Sequence, residues 1–419
     1  MTQVDGSSGQ TSVATPAAGP VSERKRDYAY YRQVFAGQRM PFAYVDLDLF
    51  DANIAQAVAR AGEKRIRVAS KSVRSVALLR RILAADPRIQ GVMCFTAREA
   101  VYLAGQGFDD LLLGYPTVHP ADLAEVARAT AAGARITLMV DSVAHVERAE
   151  RVAREQGVRL PVCLELDMSL DVPGLRFGVW RSPLRTAAQA RPVIARIQAS
   201  EHVWLDGVMG YEAQIAGVGD NAPGQRIKNA LIRALKRRSA GDVARRRAEL
   251  VALIGSLGGH LRFVNGGGTG SLRTTRAESA VTEITVGSGF YSPALFDAYR
   301  DFRYQPAAAF AVEIVRRPQP DIYTCLGGGY VASGAAGKEK LPAVYLPQGA
   351  RLEALEGAGE VQTPVRYRGA VALDIGDPIF LRHAKAGELC ERFTHLLLVQ
   401  DGKVVETVTT YRGDGQNFL

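Results

Sequence analysis

The stretch that decides the fold is Arg65-Ile66-Arg67-Val68-Ala69-Ser70-Lys71-Ser72-Val73, a short apolar run that leads to a lysine. Its β-branched residues predict a buried strand that carries Lys71 at its C-terminal end. A lysine in a dry pocket loses part of its proton affinity and becomes a nucleophilic amine, which a Schiff-base lysine requires. The chain has nine lysines against 43 arginines, so a lysine in this position is unusual. A strand-end lysine that reaches solvent is the simpler interpretation, and only the rest of the chain favours a chemical role.

Short apolar strands recur along the chain at regular intervals. The eight predicted strands span residues 66–70, 91–95, 111–115, 136–140, 162–167, 205–210, 261–265 and 282–286. Most are separated by amphipathic helical segments, such as 97–105, 120–132 and 143–155, although only residues 272–279 are available between the last two strands. Strands that alternate with helices pair in parallel, and eight in succession close into a barrel. The predicted fold class is therefore α/β, with a (β/α)8 TIM-type barrel.

The sequence changes character at about residue 303. From there to residue 419 it is punctuated by glycine and proline, with alternating segments at 309–315, 322–325, 365–373, 395–400 and 404–411. This pattern is typical of antiparallel sheet. We therefore expect a barrel over 40–302 and a C-terminal all-β domain over 303–419, which the strand at 41–48 joins in space. Residues 1–22, rich in Gly, Ser, Thr, Ala and Pro, predict a disordered leader.

The net charge of +9 comes largely from arginine, with a dense patch at 226–247. Ile227, Leu231, Ile232 and Leu235 recur there at helical spacing, so we expect a solvated helix with one buried face. Nucleic-acid binding would need a recognisable module as well as charge, and the sequence shows none. We therefore expect no nucleic-acid partner.

Apolar runs and cysteines indicate the cellular compartment of the protein. No run approaches 18 apolar residues, so the sequence predicts no membrane span. The cysteines are widely separated and two lie inside apolar strands, which fits reduced thiols better than a disulfide framework. They are Cys94, Cys163, Cys325 and Cys390. We therefore expect a cytoplasmic protein.

Two loops of small residues follow the last two predicted barrel strands. The first is Asn265-Gly266-Gly267-Gly268-Thr269-Gly270-Ser271, and the second begins Gly287-Ser288-Gly289. Glycines let the backbone approach a ligand and turn amide N–H groups towards an anion, while the hydroxyl groups add donors. In barrels of this type the loops after strands seven and eight often hold a phosphate. Together with Lys71 they predict a phosphate-bearing cofactor with a carbonyl group, pyridoxal 5′-phosphate (PLP).

The order of these motifs resembles that of the alanine-racemase-type (fold type III) PLP enzymes, and most closely the D-threonine aldolase and D-serine dehydratase branch. The resemblance spans about residues 40–415. The motifs that carry it are Lys71, Arg176-Phe177-Gly178, Gly210-Tyr211-Glu212 and the loop from Gly266 to Gly270. It implies that Lys71 binds the cofactor covalently, that Tyr211 lies against the cofactor and that Arg176 lies at the edge of the catalytic site. It further implies a phosphate site formed by Gly267, Gly268, Thr269, Gly287 and Ser288.

The same branch carries a divalent metal bound through a His-x-Cys or His-x-Asp pair, and here the sequence departs from the pattern. The position two after His383 is Lys385, which cannot bind a metal while protonated. If this segment turns helically, His383, Glu388 and Cys390 would converge in part, and that set suits Zn²⁺ or Mn²⁺. A second departure is Val73, where the branch commonly has a histidine two residues after the lysine.

The resemblance implies a PLP-dependent lyase that cleaves a small D-3-hydroxy amino acid by a retro-aldol reaction. Three alternatives stay open. One is a D-3-hydroxy amino acid dehydratase, and another is an amino-acid racemase, for which Tyr330 is the available second base. The third is a PLP-carrier protein without catalysis, against which the extra 115 or so residues after the barrel argue. The resemblance also implies a homodimer in which one chain's β-domain closes the other's site.

Overall fold

The computed structural model describes residues 25–419, so the predicted leader at 1–22 lies outside the described residues. Nineteen strands occur in this range. They are β1 (Phe42–Asp46), β2 (Arg65–Ala69), β3 (Ile89–Cys94), β4 (Leu111–Pro116), β5 (Ile136–Val140), β6 (Leu160–Glu165), β7 (Leu170–Val172), β8 (Leu175–Phe177), β9 (Val203–Gly210), β10 (Phe263–Gly266), β11 (Glu283–Val286), β12 (Ala308–Gln319), β13 (Ile322–Leu326), β14 (Ala343–Leu346), β15 (Arg351–Leu352), β16 (Gln362–Arg366), β17 (Pro378–Arg382), β18 (His395–Gln400) and β19 (Lys403–Thr409).

The helices of the described residues lie mainly between the strands of the first half of the chain. They are α1 (Tyr28–Val34), α2 (Leu47–Ala61), α3 (Val76–Ala84), α4 (Ala97–Gly105), α5 (Pro120–Ala131), α6 (Val143–Glu155), α7 (Ala187–Gln198), α8 (Ala213–Ala216), α9 (Arg226–Ser256), α10 (Leu272–Thr275), α11 (Ser288–Tyr291) and α12 (Leu389–Arg392). Several begin at a side-chain cap: the Thr96 hydroxyl accepts from the Glu99 N–H at α4, and Ser142 caps α6 in the same way.

Eight parallel strands close into a barrel, in the order β2, β3, β4, β5, β6, β9, β10, β11 and back to β2. Ile284 of β11 lies opposite Ile66 of β2 at the closure. The prediction of a TIM-type barrel is confirmed, and all eight predicted strands belong to it. Only the one-turn helix α10 fits between the last two strands. Active sites of such barrels lie at the C-terminal ends of the strands, so the end of β2 carries Lys71 to the expected face.

The barrel interior combines a small apolar cluster with a buried ion pair. Fully buried Arg67 donates to Glu283 at 2.7 Å and also to Asp110. The apolar cluster contains Leu112, Met139, Cys163, Met209 and Phe263. A pair so deeply buried costs desolvation and stabilises only when both partners are present.

A second sheet of nine strands lies beside the barrel. Its order is β15-β16-β13-β12-β1-β18-β19, with β17 paired to β12 and β14 paired to β17. β1, which precedes the barrel in sequence, runs antiparallel to β12 and parallel to β18. Three strands of this sheet were not predicted, namely β14, β15 and β17. The strand predicted at 365–373 starts earlier and ends at Arg366.

The arginine-rich segment forms the long helix α9, but its buried face is not the predicted one. Ile227 is 88% exposed and Leu231 59% exposed. The buried positions instead lie mostly in the second half of the helix and include Val243, Arg246 and Arg247. The prediction was wrong because two arginines of α9 are buried through hydrogen bonds to acceptors on other elements. The spacing of apolar residues does not predict such contacts.

Two further features of the described residues concern the cysteines and the helices. All four cysteines are free and buried. Among residues 25–419 we find no helix with the length and apolar character that crossing a membrane requires.

Candidate active site

A cavity of about 860 Å³ lies at the C-terminal ends of the barrel strands. The residues that line it come from two sides, which we call the barrel wall and the sheet wall. The barrel wall includes Lys71, Tyr115, Arg176, Arg181, Tyr211, Gly267, Gly268, Thr269, Gly287 and Ser288. The sheet wall consists of Ser333, Lys340, Lys385, Ala386 and Glu388. Eight of the residues predicted from sequence to act in catalysis or to bind the cofactor therefore share one cavity.

Lys71 lies in a 3-10 turn, Ser70–Ser72, directly after β2. Its side chain is exposed in the cavity, which corrects the expectation of a dry pocket. The Nζ atom donates to the Tyr115 hydroxyl at 3.1 Å. The Lys71 carbonyl packs against Gly387, whose φ is +91°, and a Cβ at Gly387 would collide with that carbonyl oxygen. The second sheet thus reaches the backbone of Lys71 through a turn that requires glycine.

The glycine loop after β10 is held from beneath by Glu212. One carboxylate oxygen accepts from the Gly267 N–H at 3.1 Å and from Arg247 at 2.9 Å. The other accepts from the Ser271 hydroxyl at 2.9 Å and from the Thr275 hydroxyl. Glu212 and Arg247 are both buried, so four donors converge on one carboxylate without solvent. Glu212 was part of the motif quoted from the sequence. Its role in holding the glycine loop was not predicted, because its hydrogen-bond partners lie far from it in the sequence.

The second loop meets the first across the end of the barrel. The Thr269 hydroxyl accepts from the Gly289 N–H at 3.1 Å, and the Ser288 hydroxyl lies 3.2 Å from that of Ser72. A Cβ at Gly287 would come within 2.8 Å of the Ala69 Cβ, so only glycine allows this approach. Thr269 and Ser288 open short helical turns, where the first N–H groups have no acceptor within the turn. Small residues and hydroxyl groups in the cavity that contains Lys71 fit a phosphate-bearing aldehyde.

Tyr211 and Arg176 both line the cavity, in different surroundings. Tyr211 follows β9, and its ring contacts Gly268, where a Cβ would come within 3.3 Å of the ring. Burial raises the pKa of Tyr211 to about 12, so the phenol stays protonated near neutral pH. Arg176 lies on β8 and donates to Asp167 at 2.9 Å, while its guanidinium stacks 3.8 Å from the ring centre of Trp180. Trp180 itself is 83% exposed.

Sequence reasoning missed Tyr115 and Arg181, which complete the barrel wall. Arg181 donates to Glu165 and to the Gly114 carbonyl, and its guanidinium lies 4.8 Å from the Tyr115 ring centre. Burial would raise the pKa of Tyr115, but the positive charges of Lys71 and Arg181 outweigh it and lower that pKa. Tyr115 could have been predicted from the sequence. It lies at the end of the third barrel strand, and polar groups at the C-terminal ends of barrel strands face the active site.

The residues predicted to bind a metal do not form a metal site. His383 is fully buried, which lowers its pKa to about 3. Cys390 donates to the Val73 carbonyl at 3.3 Å, and burial raises its pKa to about 12. Glu388 instead accepts from the Ser333 N–H at 2.8 Å. Within residues 25–419 no three His, Cys, Asp or Glu side chains are arranged to hold a metal ion, so the predicted convergence is wrong.

Tyr330, the second base that a racemase would need, lies elsewhere. It is buried, with its ring 6.3 Å from that of Phe310, and it is not among the residues that line the Lys71 cavity. Burial raises the pKa of its hydroxyl group, so the group stays protonated near neutral pH and cannot accept a proton.

The barrel, the lysine after its first strand and the glycine loops after its last two strands define an architecture of the alanine-racemase type. The chain belongs to the family of the alanine racemase N-terminal domain, whose model matches residues 45–291. Membership in this family confirms the resemblance inferred from the motifs.

Individual relatives agree with this assignment. The chain is 26% identical over 263 residues to a 3-hydroxy-D-aspartate aldolase of Paracoccus denitrificans, a match that covers 62% of each chain. It therefore spans less than two thirds of that relative's length. Among solved structures, D-threonine aldolase from Filomicrobium marinum superposes with a TM-score of 0.75 at 19% identity, over 90% of this chain and 95% of the other. D-threo-3-hydroxyaspartate dehydratase from Delftia sp. HT23 gives 0.71 at 20% identity, over 92% and 99%. At these identities the two structures show a shared fold.

Proposed function

We propose that this chain is a PLP-dependent lyase that cleaves a small D-3-hydroxy amino acid by a retro-aldol reaction. The observation that carries the proposal is the Lys71 amine, exposed in the cavity beside two loops that fit a phosphate group. The names of the Paracoccus aldolase and the Filomicrobium aldolase support the reaction class.

The residues of the barrel wall would hold the cofactor. Lys71 would bind it covalently, the loops at Gly267–Thr269 and Gly287–Ser288 would surround its phosphate, Tyr211 would lie against it, and Arg176 would lie at the edge of the site. When bound, PLP supplies an electron sink that accepts the electron pair of a bond broken at the substrate Cα. Because the paired charges behind this wall are buried, the loops stay in place without reorganisation when substrate binds.

Proton movement would depend on Tyr115 and Lys71. Retro-aldol cleavage requires a base that takes the proton of the 3-hydroxyl group. The Tyr115 hydroxyl is a candidate, because its lowered pKa makes the phenolate more accessible and because it lies 3.1 Å from Lys71 Nζ. Since the residues present do not form a metal site, we assign no step to a divalent metal.

Dehydration of the same substrates is the second candidate. Lys71, once released as a free amine, is exposed beside the substrate position and would remove the Cα proton. The fold shared with the Delftia dehydratase supports this candidate. The burial of Tyr330, which keeps its hydroxyl group protonated, disfavours racemisation. The sheet wall disfavours a carrier without catalysis, because a carrier formed by the barrel alone would lack it.

We further propose a cytoplasmic homodimer. The second sheet exposes large apolar side chains that a second copy would cover, including Leu326, Leu355, Val361 and Ile375. A mass measurement in solution tests this part, since a fully active monomer would contradict it.

The test of the main proposal combines spectroscopy with product analysis. The protein given PLP should become yellow, and borohydride should fix the cofactor on Lys71, whereas Lys71→Ala should lose both the adduct and at least about 10⁴-fold in turnover. Offered D-threonine, D-serine and D-alanine, the enzyme should yield glycine and an aldehyde from D-threonine. Oxo acid as the main product would favour the dehydratase, and L-alanine would favour the racemase. A colourless protein would refute the proposal.

A further inference from the structure

The sheet wall contains a hydrogen-bonded cluster that the proposed reaction does not use. Lys385 Nζ donates to the Ser333 hydroxyl at 2.8 Å, and the Ser333 N–H donates to Glu388 at 2.8 Å. Lys340 belongs to the same wall, on the 3-10 turn Lys338–Lys340. Two lysines of the sheet wall therefore line the cavity.

The charges that line the cavity are mostly positive, and only some of them are neutralised. Arg74, Arg176 and Arg181 each form an ion pair with a carboxylate, namely Glu391, Asp167 and Glu165. Lys71, Lys340 and Lys385 have no carboxylate oxygen within 4.0 Å among residues 25–419. Glu388 is the one acidic residue among the residues that line the cavity in this range.

The turn that carries Lys385 packs against the turn that carries the reacting amine. Gly387, two residues after Lys385, packs on the Lys71 carbonyl, so the turn that carries Lys385 is fixed against the catalytic turn. Burial lowers the pKa of Lys385; the Glu388 charge opposes this, and the charges of Lys340 and Lys71 add to it. Lys340 and Lys385 carry ammonium groups that repel each other, and an anion that enters between them would stabilise both.

We propose that Ser333, Lys340 and Lys385 form a subsite for a second carboxylate, carried on the side chain of the substrate. The inference rests on the proposed function, because it places this anion beside an amino acid held at Lys71. The preferred substrate is then a D-3-hydroxy amino acid with an acidic side chain, ahead of D-threonine or D-serine. Charge-assisted hydrogen bonds from lysine and serine orient the side chain without a divalent metal.

Ligand binding to the PLP-loaded protein tests the subsite directly. Succinate and butyrate have the same chain length and differ in one carboxylate, so calorimetry with each isolates the second charge. We expect succinate to bind about 10-fold more tightly than butyrate, and Lys385→Met and Lys340→Met each to remove most of this preference. Lys338→Met is the matched control, because Lys338 lies on the same turn but does not line the cavity. It should leave both affinities unchanged.

Kinetics supply the second readout. In Lys385→Met the KM for 3-hydroxy-D-aspartate should rise about 10-fold while that for D-threonine stays the same, and Lys385→Arg should restore it in part. EDTA should change neither binding nor turnover. Equal affinity for succinate and butyrate, or a preference that survives Lys385→Met, would overturn the subsite, as would loss of succinate binding with EDTA.

The yellow adduct with Lys71, recorded for every variant, separates the two proposals. If no adduct forms, the proposed function fails. If the adduct forms and the preference for succinate is absent, only the subsite fails. If Lys385→Met does not fold, Lys340→Met and Lys385→Arg carry the same test.

Discussion

The charges on the two walls of the cavity are paired differently, although Lys71 on the barrel wall, like the lysines of the sheet wall, has no carboxylate partner among residues 25–419. On the barrel wall, Arg176 and Arg181 pair with carboxylates, and Glu212 beneath the glycine loop pairs with buried Arg247. On the sheet wall, Lys340 and Lys385 have no carboxylate partner within the described part of the chain. Paired and buried charges hold a surface rigid, whereas unpaired charges at a cavity attract an incoming ion. We therefore expect the barrel wall to keep a bound group in place. The sheet wall would select the ligand by its charge.

The largest expected effect comes from breaking the buried network of the barrel wall. Glu212→Gln would replace one of two acceptor oxygens by a donor and leave Arg247 with less compensation. We expect the free energy of unfolding to fall by roughly 3–5 kcal/mol, as when a buried ion pair loses one partner. Affinity for PLP should fall as well, because the charged carboxylate that holds the Gly267 loop against Arg247 is lost. Denaturant unfolding and cofactor titration measure the two effects.

The matched control for Glu212 is Glu249→Gln. Glu249 forms an exposed pair with Arg245 on α9, so its loss should change stability little. If Glu212→Gln were as stable as this control, the barrel wall would not depend on its buried network.

The second prediction concerns the contact between the barrel and the C-terminal segment after β19. Glu99 on α4 accepts from the Phe95 N–H and from the Tyr411 hydroxyl, which lies after β19. Burial raises the pKa of Glu99 to about 7, against 4.5 ordinarily. Between these values the folded state binds more protons than the unfolded state. Stability should therefore fall as pH rises from 4.5 to 7, by up to about 3 kcal/mol, and change no further above pH 7.

Glu99→Gln removes this titration, so its stability should vary less with pH over the same window. Urea unfolding at several pH values measures the difference. Glu155→Gln, at an exposed position on α6, should keep the pH dependence of the unsubstituted protein. An unchanged slope in Glu99→Gln would show that this carboxyl group does not titrate in the folded protein near pH 7.

The smallest of the three effects concerns Tyr115, which is the part of the barrel wall in direct contact with the amine. Tyr115→Phe keeps the ring and removes the hydroxyl group, so we expect kcat to fall about 100-fold with the fold intact. If the phenolate is the base, activity should rise with pH through the lowered pKa of Tyr115, and the variant should lose this rise. The pH profile of kcat/KM decides the point.

Tyr323→Phe is the control for Tyr115, because Tyr323 lies on β13 and is not among the residues that line the cavity. A Tyr115→Phe variant that retained both full kcat and the original pH profile would remove the tyrosine from the mechanism. The base would then be sought among other groups on the two walls.

Much of the barrel wall was predictable because its residues lie at the ends of strands. Lys71, Tyr211 and the two glycine loops follow strands whose apolar pattern marks them, and a closed barrel brings all strand ends to one face. Arg181 and the pairing of Glu212 with Arg247 were not predicted, since each depends on partners many residues away. The predicted buried face of α9 was wrong for the same reason. Arg247 is buried because it pairs with carboxylates on other elements, and apolar spacing does not predict such pairs.

The sequence by itself determined the alternation of strands and helices, the closed barrel, the lysine after the first strand and the loops of small residues. These features are local, because the spacing of apolar residues within each segment predicts which of its residues are buried. Only the tertiary structure decided that His383, Glu388 and Cys390 do not converge and that Lys385 and Ser333 meet in the cavity beside Lys71. The reason is that convergence of side chains depends on how the second sheet packs against the barrel, and that packing is fixed by contacts such as Gly387 on the Lys71 carbonyl.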